Sequence, residues 1–177
     1  MQYRIDQKSG NKLSKKLYIL AELDEETQTQ IRRIEKIILE NGLTGQQTKD
    51  IPYHITINSF SSNNENELIN MIEDIKTKTR KFSVSFSSLG LFGLKVLFLN
   101  PDVNINLADL FNYTKRKNLH KDDFLSAHAT LLIDEPENII KILPKISENF
   151  QRISGTIKYI SLYEFFPKRF IKRVELG

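Results

Sequence analysis

Tyr53-His54-Ile55-Thr56-Ile57 and Ala127-His128-Ala129-Thr130-Leu131 are the two stretches that decide how this sequence folds. Each places a histidine two residues before a threonine in an apolar run, and together they use two of the chain's three histidines. In a β-strand, residues i and i+2 point to the same face. We therefore predict two strands that each present an imidazole and a hydroxyl to one cleft, while Ile55 and Ala129 face away.

Composition restricts the kinds of protein that this sequence can encode. With 177 residues, 40% hydrophobic and 27% charged, the chain fits a globular protein and not a disordered or fibrous one. It has no cysteine, which excludes disulfides, thiolate nucleophiles and cysteine-bound zinc or iron–sulfur sites. No stretch approaches the roughly 18 apolar residues of a membrane span, and residues 1–16 lack the apolar centre of a signal peptide. We predict a soluble, cytoplasmic monomer without membrane contact.

The segments around the two motifs follow one order twice: strand, helix, strand, helix, strand. Asp24 suits the cap of the first helix, Gly42 its end, and Pro136 the first turn of the fourth. Apolar residues recur at helical spacing in the helices and alternate with serines in the third strand. The repeated order predicts a duplicated α+β fold. Its strands are expected at 17–21, 53–57, 82–87, 96–99 and 127–133, its helices at 24–41, 66–80, 107–111 and 136–150, and a final antiparallel pair at 157–166 and 170–176.

Two histidines and two threonines suit the cleavage of a phosphodiester. One imidazole can remove a proton from the attacking oxygen and the other can give a proton to the leaving oxygen, because the ordinary pKa of histidine lies near 6.5. A threonine hydroxyl on the same strand face can donate to a phosphoryl oxygen. Taken one at a time, each histidine or threonine is more often a packed strand residue, so the pairing supports the interpretation.

Three parts of the sequence together resemble the 2H phosphoesterase superfamily, in its branch of bacterial 2′-5′ RNA ligases and RNA 2′,3′-cyclic phosphodiesterases. They are residues 17–26, the two His-x-Thr motifs, and residues 89–99. The likeness extends over residues 16–176. It implies one domain over residues 1–177 with a bilobed, duplicated α+β fold. Two antiparallel sheets are expected to face a central cleft, with helices packed outside.

The resemblance also implies an activity. It is that of a metal-independent phosphodiesterase that opens 2′,3′-cyclic phosphates at RNA or nucleotide ends, with reversible 2′-5′ RNA ligation as a related reaction. His54 is then the proton donor and His128 the base, with Thr56 and Thr130 as the other catalytic residues. No cofactor and no metal are expected.

Other functions stay open at this stage. The same chemistry would serve 2′-5′ linked oligonucleotides or cyclic nucleotide signals. A nucleotide- or RNA-binding module without turnover is a further alternative, although binding alone would not need two proton-transfer groups.

Substrate contacts are less well specified by the sequence. Relatives often have an arginine shortly after the second threonine, but here Leu131 follows, so we expect a phosphate-holding cation elsewhere. The candidates are Lys95, Lys168 and Arg169. Aromatic residues that would stack on a base are also expected at the cleft. Tyr53 and Phe60 are the candidates beside the first motif, and Tyr18, Phe92 and Tyr163 are further ones.

Two other charged features have competing interpretations. The cluster of Lys168, Arg169, Lys172 and Arg173 suits an anionic partner, but lysines also protect exposed sheet edges. The third histidine, His120, lies in a polar stretch, and we predict a surface position for it. A metal site with the nearby Asp122 and Asp123 would have no established ligand spacing.

Overall fold

The repeated order of elements predicted from the sequence is present in the fold. A computed structural model describes residues 16–61, 64–115, 126–165 and 167–177. Strand, helix, strand, helix, strand occurs twice within these residues, and a last strand follows. The strands are β1 (Lys16–Leu23), β2 (His54–Ser61), β3 (Phe82–Phe92), β4 (Val96–Pro101), β5 (Ala129–Ile133), β6 (Ile153–Phe165) and β7 (Arg169–Glu175). The helices are α1 (Glu25–Glu40), α2 (Glu65–Lys78), α3 (Ile105–Lys115) and α4 (Pro136–Asn149).

Local signals in the sequence set the helix ends as expected. The Asp24 carboxylate caps α1 by accepting a hydrogen bond from the Thr27 backbone N–H at 2.9 Å. Gly42 follows α1 with a φ of +78°, a conformation that favours glycine. Pro136 lies in the first turn of α4, where its missing N–H has no helical partner to lose.

The strands form one antiparallel sheet, which does not confirm the two separate sheets expected from the resemblance. Backbone pairing joins the described strands in the order β2-β1-β6-β3-β4-β5, with β7 added on β6. The long strand β6 makes this continuity possible. One edge of β6 pairs with β1, while its other edge pairs first with β3, over 153–157, and then with β7, over 159–164. The sheet therefore divides at β6 into two arms, β1–β2 with β7 and β3–β4–β5.

The two ends of the sheet come back towards each other. β2 and β5 are the last strands at opposite ends of the pairing order, yet Cα atoms of the two strands lie within 8 Å. They do not pair through their backbones, so the sheet stays open. This curl brings together the two strands that hold the His-x-Thr motifs.

The main hydrophobic core lies on one face of this sheet, against the helices. Alternate residues of β1, including Ile19 and Ala21, are fully buried there, and so are Ile55 of β2 and Ala129 of β5. Leu20, Phe98 and Tyr163 are also buried but stand apart from that core. The opposite face carries His54 and Thr56 on one arm and Thr130 on the other, and we call it the histidine face.

The loop between α1 and β2 covers part of the β5 edge. The Gln46 backbone N–H donates to the Ile133 carbonyl at 2.6 Å, and the Ile133 N–H donates to Gln47 Oε1 at 3.2 Å. The loop thus supplies partners that a further strand would otherwise supply.

Helices of the ranges described above are too short or too polar to cross a lipid bilayer.

Gly155 in β6 offers a test of how closely α1 packs on the sheet. A Cβ added at Gly155 would overlap the side chain of Thr27, which is fully buried and hydrogen-bonded to Asp24. We expect Gly155→Ala to lower the free energy of unfolding by about 1–3 kcal/mol through overpacking, measured by urea denaturation. The neighbouring exposed change Ser154→Ala is the control and should stay within about 0.5 kcal/mol of wild type. Equal midpoints for the two variants would contradict this packing.

Candidate active site

His54 and His128 stand at corresponding places on the two facing strands. His54 is the first residue of β2, and His128 directly precedes β5. The two strands have Cα atoms within 8 Å of each other, and the charge of His128 is a minor cause that lowers the pKa of His54. The two predicted histidines therefore lie at the two ends of the sheet that approach each other.

Both rings are anchored in the same way by the backbone. Nδ1 of His54 lies 2.7 Å from the Pro52 carbonyl oxygen, and Nδ1 of His128 lies 2.6 Å from that of Ser126. A carbonyl oxygen can only accept, so Nδ1 is the atom that holds the proton in each neutral ring. Nε2 is then left to accept or donate the proton that the chemistry moves.

Burial lowers the pKa of both histidines and so favours their neutral forms. Loss of solvent is the main cause that lowers the pKa of His54, and the charge of His128 adds to it, while the bond to Pro52 acts in the opposite direction. Burial likewise lowers the pKa of His128, again opposed by its backbone hydrogen bond. At neutral pH each Nε2 is therefore available as a proton acceptor.

A buried glutamine fixes the backbone ahead of His54. The Gln28 Nε2 group donates to the Tyr53 carbonyl at 2.8 Å and to the Leu23 carbonyl at 3.2 Å, while its Oε1 accepts from the Tyr53 N–H at 2.8 Å. Tyr53 lies between Pro52, which anchors the imidazole, and His54 itself. Gln28 thus holds in place the segment on which the orientation of His54 depends. Sequence analysis missed it, and its one signal was a polar residue on the apolar side of α1.

Two phenylalanines support the ring of His128. The Phe92 ring meets it edge-on with the centroids 4.8 Å apart, and the Phe98 centroid lies at 5.3 Å. Phe98 is opposite Gly90 on β3 and opposite Thr130 on β5, so it lies on the histidine face. A Cβ at Gly90 would overlap the Phe98 ring, which shows that glycine leaves the room that this ring occupies.

An ion pair with a buried carboxylate lies beside the first motif. Glu22 of β1 is directly opposite His54 and is only 1% exposed. Its carboxylate accepts from the Ser161 hydroxyl at 2.5 Å and pairs with the Arg173 guanidinium at 2.6 Å. The sequence placed Arg173 in a basic cluster but did not single it out, and there was no signal for its partner Glu22.

The structure turns two predicted aromatic contacts away from the histidine face. Phe60 is 5% exposed and packs in the main core opposite Leu17, which corrects the prediction that it contacts substrate. A register shift between Thr56 and Asn58 breaks the alternation of β2, so Phe60 lies on the opposite face from Thr56. Tyr53 packs against the core and interacts with Glu35 of α1. Its burial, and then that carboxylate, raise the pKa of its hydroxyl.

The predicted lysines are bound to other parts of the chain. Lys95 pairs with Glu135 at 3.5 Å, and Lys168 donates to the Lys49 carbonyl at 2.7 Å and lies 3.4 Å from Asp50. Within the described residues, neither lysine contacts His54 or His128. Each lysine therefore already pairs with a carboxylate of another loop.

Arg169 links three elements of the fold. Its guanidinium bonds Glu65 at the start of α2 at 2.5 Å and Glu164 of β6 at 2.6 Å. Because two carboxylates already occupy its N–H groups, the Arg169 guanidinium has few donors left for a phosphate. Among the predicted cations, none is placed beside the motif histidines in the part of the chain that the structure describes.

No group of three or more histidine, aspartate or glutamate side chains suited to a metal ion forms in the described ranges. His120, Asp122 and Asp123 lie outside those ranges. The suggestion of a metal site there stays untested.

Gly90→Ala tests the support of His128. The added methyl group should displace the Phe98 ring and admit solvent to His128, which raises the pKa of this imidazole towards its ordinary value. An NMR titration of the ring nitrogens measures this shift, and the wild type titrated under the same conditions is the control. An unchanged His128 titration would contradict the supporting role of Phe98.

Comparisons with known proteins agree with this geometry at the level of the fold. No family model and no curated protein sequence matches the chain. A crystal structure of a phosphoesterase aligns over 92% of this chain and 99% of its own, with a TM-score of 0.60 and 18% identity. Apo LigT of Escherichia coli aligns over 92% of this chain and 98% of its own, with a TM-score of 0.64 and 17% identity. TT0787 of Thermus thermophilus aligns over 91% of this chain and 97% of its own, with a TM-score of 0.60 and 14% identity. The chain therefore has the fold of these proteins, and the resemblance to the 2H phosphoesterases is confirmed at that level.

Proposed function

We propose that this chain is a metal-independent phosphodiesterase that opens 2′,3′-cyclic phosphates at RNA or nucleotide ends by two-histidine acid–base catalysis. One observation carries the proposal. His54 and His128 lie on two strands whose Cα atoms come within 8 Å, and each has Nδ1 bonded to a backbone carbonyl and Nε2 left to exchange a proton. Crystal structures of LigT, whose fold this chain shares, hold 3′-AMP and phosphate.

The proposed reaction needs two proton transfers. Water attacks the phosphorus while Nε2 of His128 takes its proton, which forms the new P–O bond. The bond from phosphorus to one ribose oxygen breaks, and Nε2–H of His54 gives that oxygen a proton. The product is a ribose phosphomonoester. With the 5′-hydroxyl of a second ribose in place of water, and the 3′ oxygen of the cyclic phosphate as the protonated leaving group, the same two proton transfers would form a 2′-5′ linkage.

The positions of the groups suit these roles. Attack in line with the leaving oxygen requires the base and the acid on opposite sides of the phosphorus, and β2 and β5 face each other from the two arms of the sheet. Burial lowers the pKa of His54, which makes its protonated form a stronger acid towards the leaving oxygen. Thr56 and Thr130 stay partly exposed on the same face, so that their hydroxyls can donate to phosphoryl oxygens.

A binding module without turnover explains this arrangement less well. Binding of an anion would favour raised histidine pKa values and cationic rings, whereas burial here lowers both. Proton transfer instead requires backbone-oriented rings that can gain or lose a proton at Nε2, one of them neutral and the other protonated.

The pH dependence follows from these shifts. The active form of the free protein has one neutral and one protonated histidine, and this form is most abundant midway between the two pKa values. Because both pKa values lie below the ordinary value of about 6.5, the maximum of kcat/KM should lie below about pH 6.5. Initial rates measured from mildly acidic to mildly alkaline pH locate it. A maximum on the alkaline side of neutrality would contradict the assignment.

The activity itself is tested with a 2′,3′-cyclic nucleotide in the presence of EDTA. We expect ring opening by the wild type, and a loss of roughly 10²- to 10⁴-fold for His54→Ala and for His128→Ala, because each removes one proton transfer. Chromatography of the products measures the rates, and urea denaturation shows that the variants are folded. The proposal fails if EDTA abolishes the activity, or if the wild type and both variants have the same rate.

A further inference from the structure

Two rows of side chains extend along the histidine face from β2 to β7, and one of them begins at the motif residue Thr56. Residues that pair directly across neighbouring strands share a face of the sheet. The row that contains Thr56 continues through Leu20 and Ser161 to Arg173, and the next row runs from Ser59 through Tyr18 and Tyr163 to Phe170. Arg173 and Phe170 of β7 therefore lie on the same face as the motif threonine.

A β-bulge in β7 produces this placement. Tyr163 pairs with Phe170 and Leu162 pairs with Lys172, so Ile171 is an extra residue. Strict alternation would put Phe170 and Arg173 on opposite faces, but the extra residue puts them on the same one.

Arg173 extends across the sheet towards the first motif. Its guanidinium reaches Glu22, the residue opposite His54, and lies over the Tyr159 ring at 5.0 Å from the centroid. The side chain nevertheless stays 38% exposed. A guanidinium has five N–H donors, so the bonds to Glu22 and to the Tyr163 hydroxyl leave donors for a ligand anion.

Phe170 is an exposed aromatic ring on an aromatic base. It is 54% exposed, and its ring meets Tyr163 edge-on with the centroids 5.4 Å apart. Tyr163 in turn stacks on Phe165 at 6.2 Å, and Phe165 contacts Tyr18 at 4.7 Å. These neighbours support the Phe170 ring and leave much of its apolar surface exposed, in the row next to that of Arg173. Exposed aromatic rings combined with positive charge are typical of single-stranded nucleic acid binding.

We propose that Phe170 and Arg173 form a binding subsite for the nucleotide next to the cyclic phosphate, with its base stacked on Phe170 and its phosphate held by Arg173. The inference rests on the proposed function and deepens it, because it makes the substrate an RNA strand end and not a free cyclic mononucleotide. β7 is three strands away from β2, which is about 14 Å across the sheet. A base on Phe170 therefore belongs to a different nucleotide from the one between the histidines.

The test compares two substrates, a 2′,3′-cyclic mononucleotide and a short oligoribonucleotide that ends in the same cyclic phosphate. We expect wild type to prefer the oligonucleotide in kcat/KM. Phe170→Ala should reduce this preference by roughly 5- to 150-fold, mainly through KM, because one stacked base is lost. Arg173→Gln should also reduce the preference and make it less sensitive to salt.

Lys172→Ala is the matched control. Lys172 is the neighbouring cation on β7, but it pairs with Glu73 of α2 at 2.5 Å on the other side of the sheet. Its removal changes the charge by the same amount and should leave the preference unchanged. Because Arg173→Gln leaves Glu22 without its partner, the double variant Glu22→Gln/Arg173→Gln is measured beside it. The same loss of preference in Lys172→Ala as in Phe170→Ala would overturn the subsite.

Binding separates failure of the subsite from failure of the proposed function. A fluorescent oligoribonucleotide with a 3′-phosphate end is titrated against wild type and Phe170→Ala by anisotropy, which requires no turnover. Weaker binding by Phe170→Ala supports the subsite even if no substrate is opened. Equal binding by both proteins, or equal substrate preference in the kinetic test, would rule the subsite out while leaving the two-histidine chemistry intact.

Discussion

The close approach of two strands at opposite ends of one sheet is the constraint on which the site depends. β2 and β5 share no backbone pairing, so their separation depends on the curl of the strands between them and on the loop before β2 that bonds to Ile133. β6 joins the two arms of this sheet, because its 13 residues pair with β1 along one edge and with β3 followed by β7 along the other. Core packing on the helix side stabilises the curvature, while the opposite face is left for side chains with chemistry. The distance between His54 and His128 is therefore a property of the whole sheet.

The two histidines are held by the same kind of backbone contact but have different neighbouring side chains. In the proposed reaction each imidazole must be held rigidly and be able to gain or lose a proton at Nε2. The backbone carbonyl two residues earlier fixes each ring, and burial disfavours its charged form. On one arm Gln28 steadies the anchoring segment, and on the other Phe92 and Phe98 enclose the ring. An anionic phosphate between the rings would offset the repulsion that two protonated histidines exert in the free protein.

The sequence was sufficient for what depends on local pattern and insufficient for what depends on pairing. Capping and periodicity predicted the helices and the order of strands, and the i to i+2 rule predicted that His54 and Thr56 share a face, as their partners Glu22 and Leu20 do. The prediction that Phe60 contacts substrate was wrong because one extra residue in β2 reverses which side chains face the core. Gln28 and the pair of Glu22 with Arg173 could not be found, since their partners lie far away along the chain. Continuity of the sheet through β6 likewise depends on contacts that no single segment encodes.

The loop between α1 and β2 has a consequence for solubility. An unpaired strand at the end of a sheet is a template on which another chain can add, and this leads to aggregation. Gln46 and Gln47 occupy the hydrogen-bonding positions of Ile133 on β5, so that this stretch of edge cannot accept a foreign strand. Gln46 and Gln47 thereby prevent intermolecular β-pairing at the end of the sheet that must stay accessible to a ligand.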